Sequence, residues 1–221
     1  MNTISVSKLG GICLIGGGIL GFIPFALQIM AGGPPEEGAH VFSYFAQNVV
    51  AGGQKSLAFA LASTIAVAVT AFGVYTLNKL IQEKGPDALL GLGTFLFVFA
   101  QIGFAVSWST DIAIVLGANN PELGAELFLT EMGMFFTFGT IGWTGGAIVS
   151  LALANTEYIN VLFLKAAAAL FVILAFIFAF TLFTIEPYSA ATIMPMFMGV
   201  SLGQIVNLVW QILIGQKMMQ N

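Results

Sequence analysis

Six long apolar stretches run along the chain, and short polar segments separate them. Each stretch has about 20 residues or more, which is the length an α-helix needs to cross a hydrocarbon core roughly 30 Å thick. The stretches are continuous and lack the period-two alternation expected of strands in a membrane barrel. The pattern therefore predicts six membrane-spanning helices, at about 9–31, 57–81, 89–116, 127–154, 161–185 and 191–215.

The segments between the stretches carry Gly, Pro and Asn, which are typical of turns. They read AGGPPEEG, EKGPD, GANNPE, ANTEYIN and IEPYS. The longest connection, 32–56, contains an apolar stripe of Val41, Phe42, Phe45 and Val49. That spacing predicts an external amphipathic helix at about 36–51 lying in the outer membrane interface, either covering the mouth of the bundle or acting as a lid over a site.

Composition supports an integral membrane protein. Hydrophobic residues make up 58% of the chain and charged residues 7%, against roughly 25% charged residues in a soluble domain. No connection is long enough to hold a soluble domain, so we predict a single all-α transmembrane domain, 1–221, with the lipid bilayer as its surroundings and lipid bound to it. The net charge of −4 and the lack of arginine argue against a nucleic-acid partner.

The lysines predict how the chain is oriented. Five of the six fall on the side of the predicted bundle that holds both termini, and Lys55 falls on the other side. Positive residues favour cytoplasmic loops, so we predict a multi-pass protein of the cell membrane with both termini in the cytoplasm. The five are Lys8, Lys79, Lys84, Lys165 and Lys217.

Carboxylates near the predicted outer surface form the first candidate site. A charged group inside the hydrocarbon costs roughly 2.5–3.5 kcal/mol on insertion scales, which makes such residues candidates for function. Asp111 lies about one turn beyond Trp108, at the predicted outer end of the third span, and the apolar IAIVLG after it needs a cover such as the 36–51 helix. Together with three neighbours it forms a candidate outer vestibule that would bind a cation or shuttle protons: His40, Asp111, Glu131 and Glu186.

Amides inside the spans form the second candidate site. Gln204, Asn207 and Gln211 fall within about 60° of one another on the sixth span, and Gln101 lies at similar depth in the third. This polar stripe either holds helices together through hydrogen bonds, each worth roughly 1 kcal/mol, or lines a path for a solute. The fifth span is Phe-rich on all sides, which predicts a peripheral helix that lines no site.

The sequence offers little support for catalysis or for a cofactor. It has one histidine and one cysteine, so a disulfide within the chain and a bis-histidine haem are excluded. No spacing such as Glu-x-x-His supports a metal site, and no motif supports a nucleophile. We therefore predict no metal and no cofactor.

Three functions stay open on these grounds. The first is a non-catalytic accessory or scaffold subunit of a larger membrane complex, associated with other membrane subunits or with copies of itself. The second is a small transporter or channel that uses the acidic vestibule and the polar stripe. The third, an enzyme acting on a lipid or quinone, has the least support, because no catalytic motif accompanies it.

Overall fold

The computed structural model describes residues 4–31, 33 and 35–220; the ends of the predicted domain, 1–3 and 221, lie outside these ranges. Within them the chain is all-helical, with 86% of residues in helices. Six of the seven helices are long and apolar enough to span a membrane, so the predicted multi-pass fold is confirmed. The helices are α1 (Val6–Ala31), α2 (Val41–Gly52), α3 (Gln54–Gln82), α4 (Ala88–Leu116), α5 (Pro121–Asn155), α6 (Val161–Thr184) and α7 (Ala190–Gln220).

Several spanning helices extend beyond the apolar stretches that predict them. α5 begins at Pro121 rather than near 127, because the Asn120 side chain accepts a hydrogen bond of 3.2 Å from the Leu123 N–H and caps the helix. Its 35 residues rise about 52 Å, well over the roughly 30 Å of hydrocarbon. Hydropathy marks the part of a helix in the membrane, whereas the helix itself continues into polar residues.

The short helix α2 begins at Val41, five residues later than predicted. Gly38 has a φ of +79°, a conformation that favours glycine and ends the preceding turn. His40 then caps α2, since its side chain accepts a hydrogen bond of 3.2 Å from the Ser43 N–H. A second glycine, Gly53 with φ +51°, makes the corner between α2 and α3.

The spanning helices pack as a closed ring. Contacts run from α1 to α3, then to α4, α5, α6 and α7, and from α7 back to α1. Neighbours are antiparallel: residue 10 meets 76 and residue 21 meets 66, while 11 meets 215 across the closing pair. The Ser7 hydroxyl donates a hydrogen bond to the Met218 carbonyl oxygen and ties the start of α1 to the end of α7.

The ring therefore has two distinct ends. We call the one that holds the chain termini the terminal end and the one that carries α2 the α2 end. Its up-and-down order puts Lys8, Lys79, Lys84, Lys165 and Lys217 at the terminal end and Lys55 at the α2 end. One apolar core fills the terminal-end half around Leu77, Leu90 and Ile214, and a second lies beneath α2 around Phe42, Ile114 and Met196.

Candidate functional site

A cavity of about 100 Å³ lies in the middle of the ring, between the two apolar cores. All six spanning helices contribute to its wall. α1 contributes three glycines, Gly17, Gly18 and Gly21, and this small-residue wall leaves room for the cavity. We call this space the central cavity.

The polar part of the wall consists of the amides predicted as a stripe. Gln101 of α4 and Gln204, Asn207 and Gln211 of α7 all line the central cavity. Gln211 accepts a long hydrogen bond of 3.4 Å from the Thr70 hydroxyl. In the part of the chain that the structure describes, the side chains of Gln101, Gln204 and Asn207 have no hydrogen-bond partner.

Unpaired amides in such a place carry a free-energy cost. A polar group without a partner costs about 1–3 kcal/mol when it is fully buried, and the half-buried Gln101, Gln204 and Asn207 face one space. The buried hydroxyl of Ser63, on the α3 wall of the central cavity, also has no partner. A solute or water that bonds to these groups recovers the cost, so the wall is suited to a polar ligand.

Aromatic rings form most of the remaining wall. Trp143 packs on Phe171 with ring centroids 5.1 Å apart, and Phe104 packs on Phe135 at 5.6 Å. Trp108 lines the same space. These flat, apolar surfaces favour the apolar parts of a ligand, whereas the amides fix its orientation.

The prediction that the fifth span lines no site is wrong. α6, which is that span, places Phe171 and Phe178 in the wall of the central cavity, while Phe176, Phe180 and Phe183 on its other side are exposed. Since phenylalanine occurs all around this helix, the sequence could not show which side faces inward.

The wall of the central cavity carries no charged side chain among the described residues. An ion moved into a low-dielectric interior without a counter-charge loses several kcal/mol of solvation. Amide groups instead offer both donors and acceptors without net charge. The chemistry of the wall is therefore complementary to a neutral solute with polar groups.

A pair of carboxyl side chains lies one turn from the central cavity, toward the α2 end. Asp111 of α4 and Glu131 of α5 lie within hydrogen-bonding reach of each other, and they are only 2% and 6% exposed. Asp111 Oδ1 and Glu131 Oε2 are buried without a hydrogen-bond partner. The Ser107 hydroxyl donates a hydrogen bond of 3.3 Å to the Glu131 carbonyl oxygen and joins the two helices at this level. We call Asp111 and Glu131 the carboxyl pair.

The other two residues of the predicted vestibule lie in the cover of the bundle. The His40 ring packs against Tyr188 with centroids 5.1 Å apart, and the Val41 N–H donates a hydrogen bond of 2.7 Å to the Pro187 carbonyl oxygen. Glu186 is exposed in the same α6–α7 connection. The structure thus brings Asp111 to Glu131, whereas His40 caps α2 and Glu186 lies in the α6–α7 connection against which His40 packs.

α2 closes this end of the bundle. Its Phe45 ring stacks on Phe128 of α5 at 5.7 Å and packs on Phe197 of α7 at 5.3 Å. Val41, Phe42 and Ala46 are buried against the same core as Ile114, which follows Asp111 by three residues on α4. Of the apolar residues after Asp111, Ile114 is covered by α2, the helix that the sequence suggested as their cover, whereas Leu116 is 76% exposed.

The arrangement within the described residues contains no group of three or more His, Cys, Asp or Glu side chains placed to hold a metal ion. Comparisons of the chain with protein-family models, with curated proteins and with solved structures find no match. The function must therefore be argued from the central cavity, the carboxyl pair and the α2 cover.

Proposed function

We propose that this protein is a small membrane transporter that carries a neutral, polar solute through the central cavity. The observation that carries the proposal is the set of amides, Gln101, Gln204 and Asn207, that face a space inside the membrane without hydrogen-bond partners. Amides that served only to hold helices together would be bonded to one another across the helix interfaces.

The closed ring suits a transporter in an occluded state. Apolar side chains fill the bundle on both sides of the central cavity, with Ile214 and Leu77 toward the terminal end and Phe128 and Met196 toward the α2 end. A solute in the central cavity would lie between these two apolar layers. Opening one end at a time gives alternating access around a fixed binding site.

The proposed solute is small. An engineered protein cavity of about 150 Å³ binds benzene, so a space of about 100 Å³ fits a molecule of a few non-hydrogen atoms. Small amides, ureas and polyols have this size and offer hydrogen bonds to Gln204 and Asn207. With the lysine-rich terminal end in the cytoplasm, as the lysines favour, the α2 end faces outward in the cell membrane.

The test is solute entry into proteoliposomes that contain the full chain. Vesicles are placed in gradients of urea, acetamide and glycerol, and swelling is followed by light scattering. We expect at least one of the three solutes to enter faster than into protein-free vesicles. Asn207→Leu is expected to slow that entry up to about tenfold, because the loss of one hydrogen bond to the solute costs about 0.5–1.5 kcal/mol.

The matched control is Gln216→Leu, which replaces an exposed amide on the same helix α7 and should leave the entry rate unchanged. The tryptophans give a second measurement, because Trp108 and Trp143 line the central cavity and their fluorescence should change when the solute binds. Entry no faster than in protein-free vesicles for all three solutes, or an Asn207→Leu rate equal to wild type, would overturn the proposal.

A second candidate function is that of an accessory subunit in a larger membrane complex. It is favoured by an apolar groove of about 600 Å³ between α6 and α7, whose wall includes Phe176, Phe180 and Pro195. A helix of another subunit would fill this groove with apolar contacts.

An accessory subunit that is released from membranes in mild detergent should carry a stoichiometric partner in native mass spectrometry. The double substitution Phe176→Ala and Phe180→Ala should remove that partner. A lone, active monomer would contradict this role.

A further inference from the structure

We propose that the carboxyl pair, Asp111 and Glu131, is a site that binds one exchangeable proton and that its occupancy controls the α2 end of the bundle. The gating part of this inference rests on the proposed function, because an end that opens is needed only if a solute passes. The binding of the proton does not depend on it.

Charge balance within the contact is the first argument. Two carboxyl groups within hydrogen-bonding reach of each other can form a hydrogen bond only if one of them holds a proton, since one must donate and the other accept. No lysine or histidine among the described residues contacts either carboxyl. Two adjacent carboxylates repel each other strongly when both are ionised in a low-dielectric place. The closed structure therefore requires one bound proton.

The unpartnered oxygens are the second argument. Asp111 Oδ1 and Glu131 Oε2 are buried and accept no hydrogen bond from the chain. A carboxyl with only a structural role would be bonded by backbone or side-chain donors, because a buried acceptor without a partner is costly. The pair is satisfied mainly through the proton that its members share, so its stability depends on that proton.

A proton fits this site better than a metal cation. Hard cations take six or more oxygen ligands, and the pair offers four carboxylate oxygens. The neighbouring Ser107 hydroxyl is engaged with the Glu131 carbonyl oxygen. The described residues supply no third carboxylate or histidine to complete a coordination shell.

Other titratable groups at this end do not face the pair. His40 is half-buried at the start of α2, against Tyr188 and Phe42. The charged side chains that remain on α2 and its flanks, on α3, on α5 and on the α6–α7 connection are exposed: Glu36, Glu37, Lys55, Glu122, Glu126 and Glu186. The protonation of Asp111 and of Glu131 therefore depends mainly on the other member of the pair.

The position of the carboxyl pair links its protonation to the opening of the α2 end. Asp111 follows Trp108 by three residues and Glu131 precedes Phe135 by four, and both aromatic residues line the central cavity. The rise of a helix puts the carboxyls about 4–6 Å from that wall, toward α2. When the proton leaves to water at the α2 end, two carboxylates remain in contact, and their repulsion pushes α4 and α5 apart beneath α2.

The proton itself is tested by infrared spectroscopy of the purified full chain. Wild type should show a protonated-carboxyl C=O band that disappears as pH rises, and Asp111→Asn and Glu131→Gln should each remove it. If either variant fails to fold, ¹³C-aspartate in wild type serves instead. The chain has two aspartates, and Asp87 caps α4 at the terminal end, so a shifted band reports Asp111. Absence of the band, or a band that the label and the variants leave unchanged, overturns the proposal.

The opening of the α2 end is tested by thiol labelling, which needs no transported solute. Ile114→Cys, buried beneath α2, is introduced with Cys13→Ser, and its reaction with a maleimide is compared at each pH with Leu116→Cys, an exposed position on the same helix. The ratio of the two rates should rise about tenfold with pH in wild type and stay flat with Asp111→Asn or Glu131→Gln. A flat wild-type ratio, or a ratio that follows sodium concentration at fixed pH, overturns the inference. Failure of solute entry with these results intact would instead overturn only the transporter proposal.

Discussion

Gly145→Ala is expected to destabilise the folded protein by about 1–3 kcal/mol, the usual cost of an extra methyl group in a filled interior. A Cβ atom at residue 145 would lie 2.5 Å from the Phe97 main-chain nitrogen and 2.9 Å from the Gly93 carbonyl oxygen. Both are backbone atoms of α4, so no side-chain rotation relieves the clash. The two helices would have to separate. Unfolding by a denaturing detergent in mixed micelles measures the loss.

Gly133→Ala is the matched control in the same helix. A Cβ atom there meets no atom within 4 Å. Alanine has the higher helix propensity, by up to about 1 kcal/mol in water. We therefore expect Gly133→Ala to be neutral or slightly stabilising. Equal effects of the two substitutions would show that the close approach of α4 and α5 at Gly145 does not limit stability.

The sequence could identify the number and type of the elements because a bilayer imposes a strong and simple requirement. Every backbone polar group must be bonded within the spanning segment, so an apolar stretch of about 20 residues can only be a helix. The ends of the helices depend instead on local caps. Asn120 and His40 determine where α5 and α2 begin. Hydropathy does not indicate where either helix begins.

The spacing of glycines in the sequence predicts only some of the close contacts between helices. The pairs at four-residue spacing in the sequence, such as Gly142 and Gly146, do pack against neighbouring helices of the same chain. The closest backbone approaches occur at residues without that spacing. Gly93 faces α5 and Gly145 faces α4, while Gly11 and Gly215 meet across the closing pair α1–α7. Which glycines meet depends on the order of helices around the ring, and the sequence does not contain that order explicitly.

The sequence identified the amides that line the central cavity but not the shape of that cavity. Helical spacing predicted that Gln204, Asn207 and Gln211 share one face of the sixth span, and Gln101 was predicted at similar depth in the third. The aromatic wall was not predictable, because Trp143 and Phe171 are two among many aromatic residues in apolar spans. The sequence predicted that the four vestibule residues lie near the same surface, but it does not show which of them are buried. Asp111 and Glu131 are buried between α4 and α5, whereas Glu186 is exposed in the α6–α7 connection.

Phe42→Ala is expected to open the α2 end without unfolding the ring. The Phe42 side chain is buried in the core beneath α2, together with Ile114 and Met196. Truncating a buried phenylalanine costs about 3–5 kcal/mol. α2 is a short helix outside the ring of spanning helices, so the loss falls on its docking, and local opening becomes more frequent.

The measurement is again the labelling of Ile114→Cys in the Cys13→Ser background, now at a fixed pH. A loss of about 3 kcal/mol in docking free energy raises the open population, and with it the labelling rate, roughly 100-fold. Gln47→Ala removes an exposed side chain from the same helix and should leave the rate as in wild type. If Phe42→Ala labels no faster than Gln47→Ala, then α2 is not what keeps water from Ile114, and the carboxyl pair is shielded by the spanning helices themselves. Access to the pair would then require movement within the ring, so the proposed proton would have to leave between α4 and α5 rather than past α2.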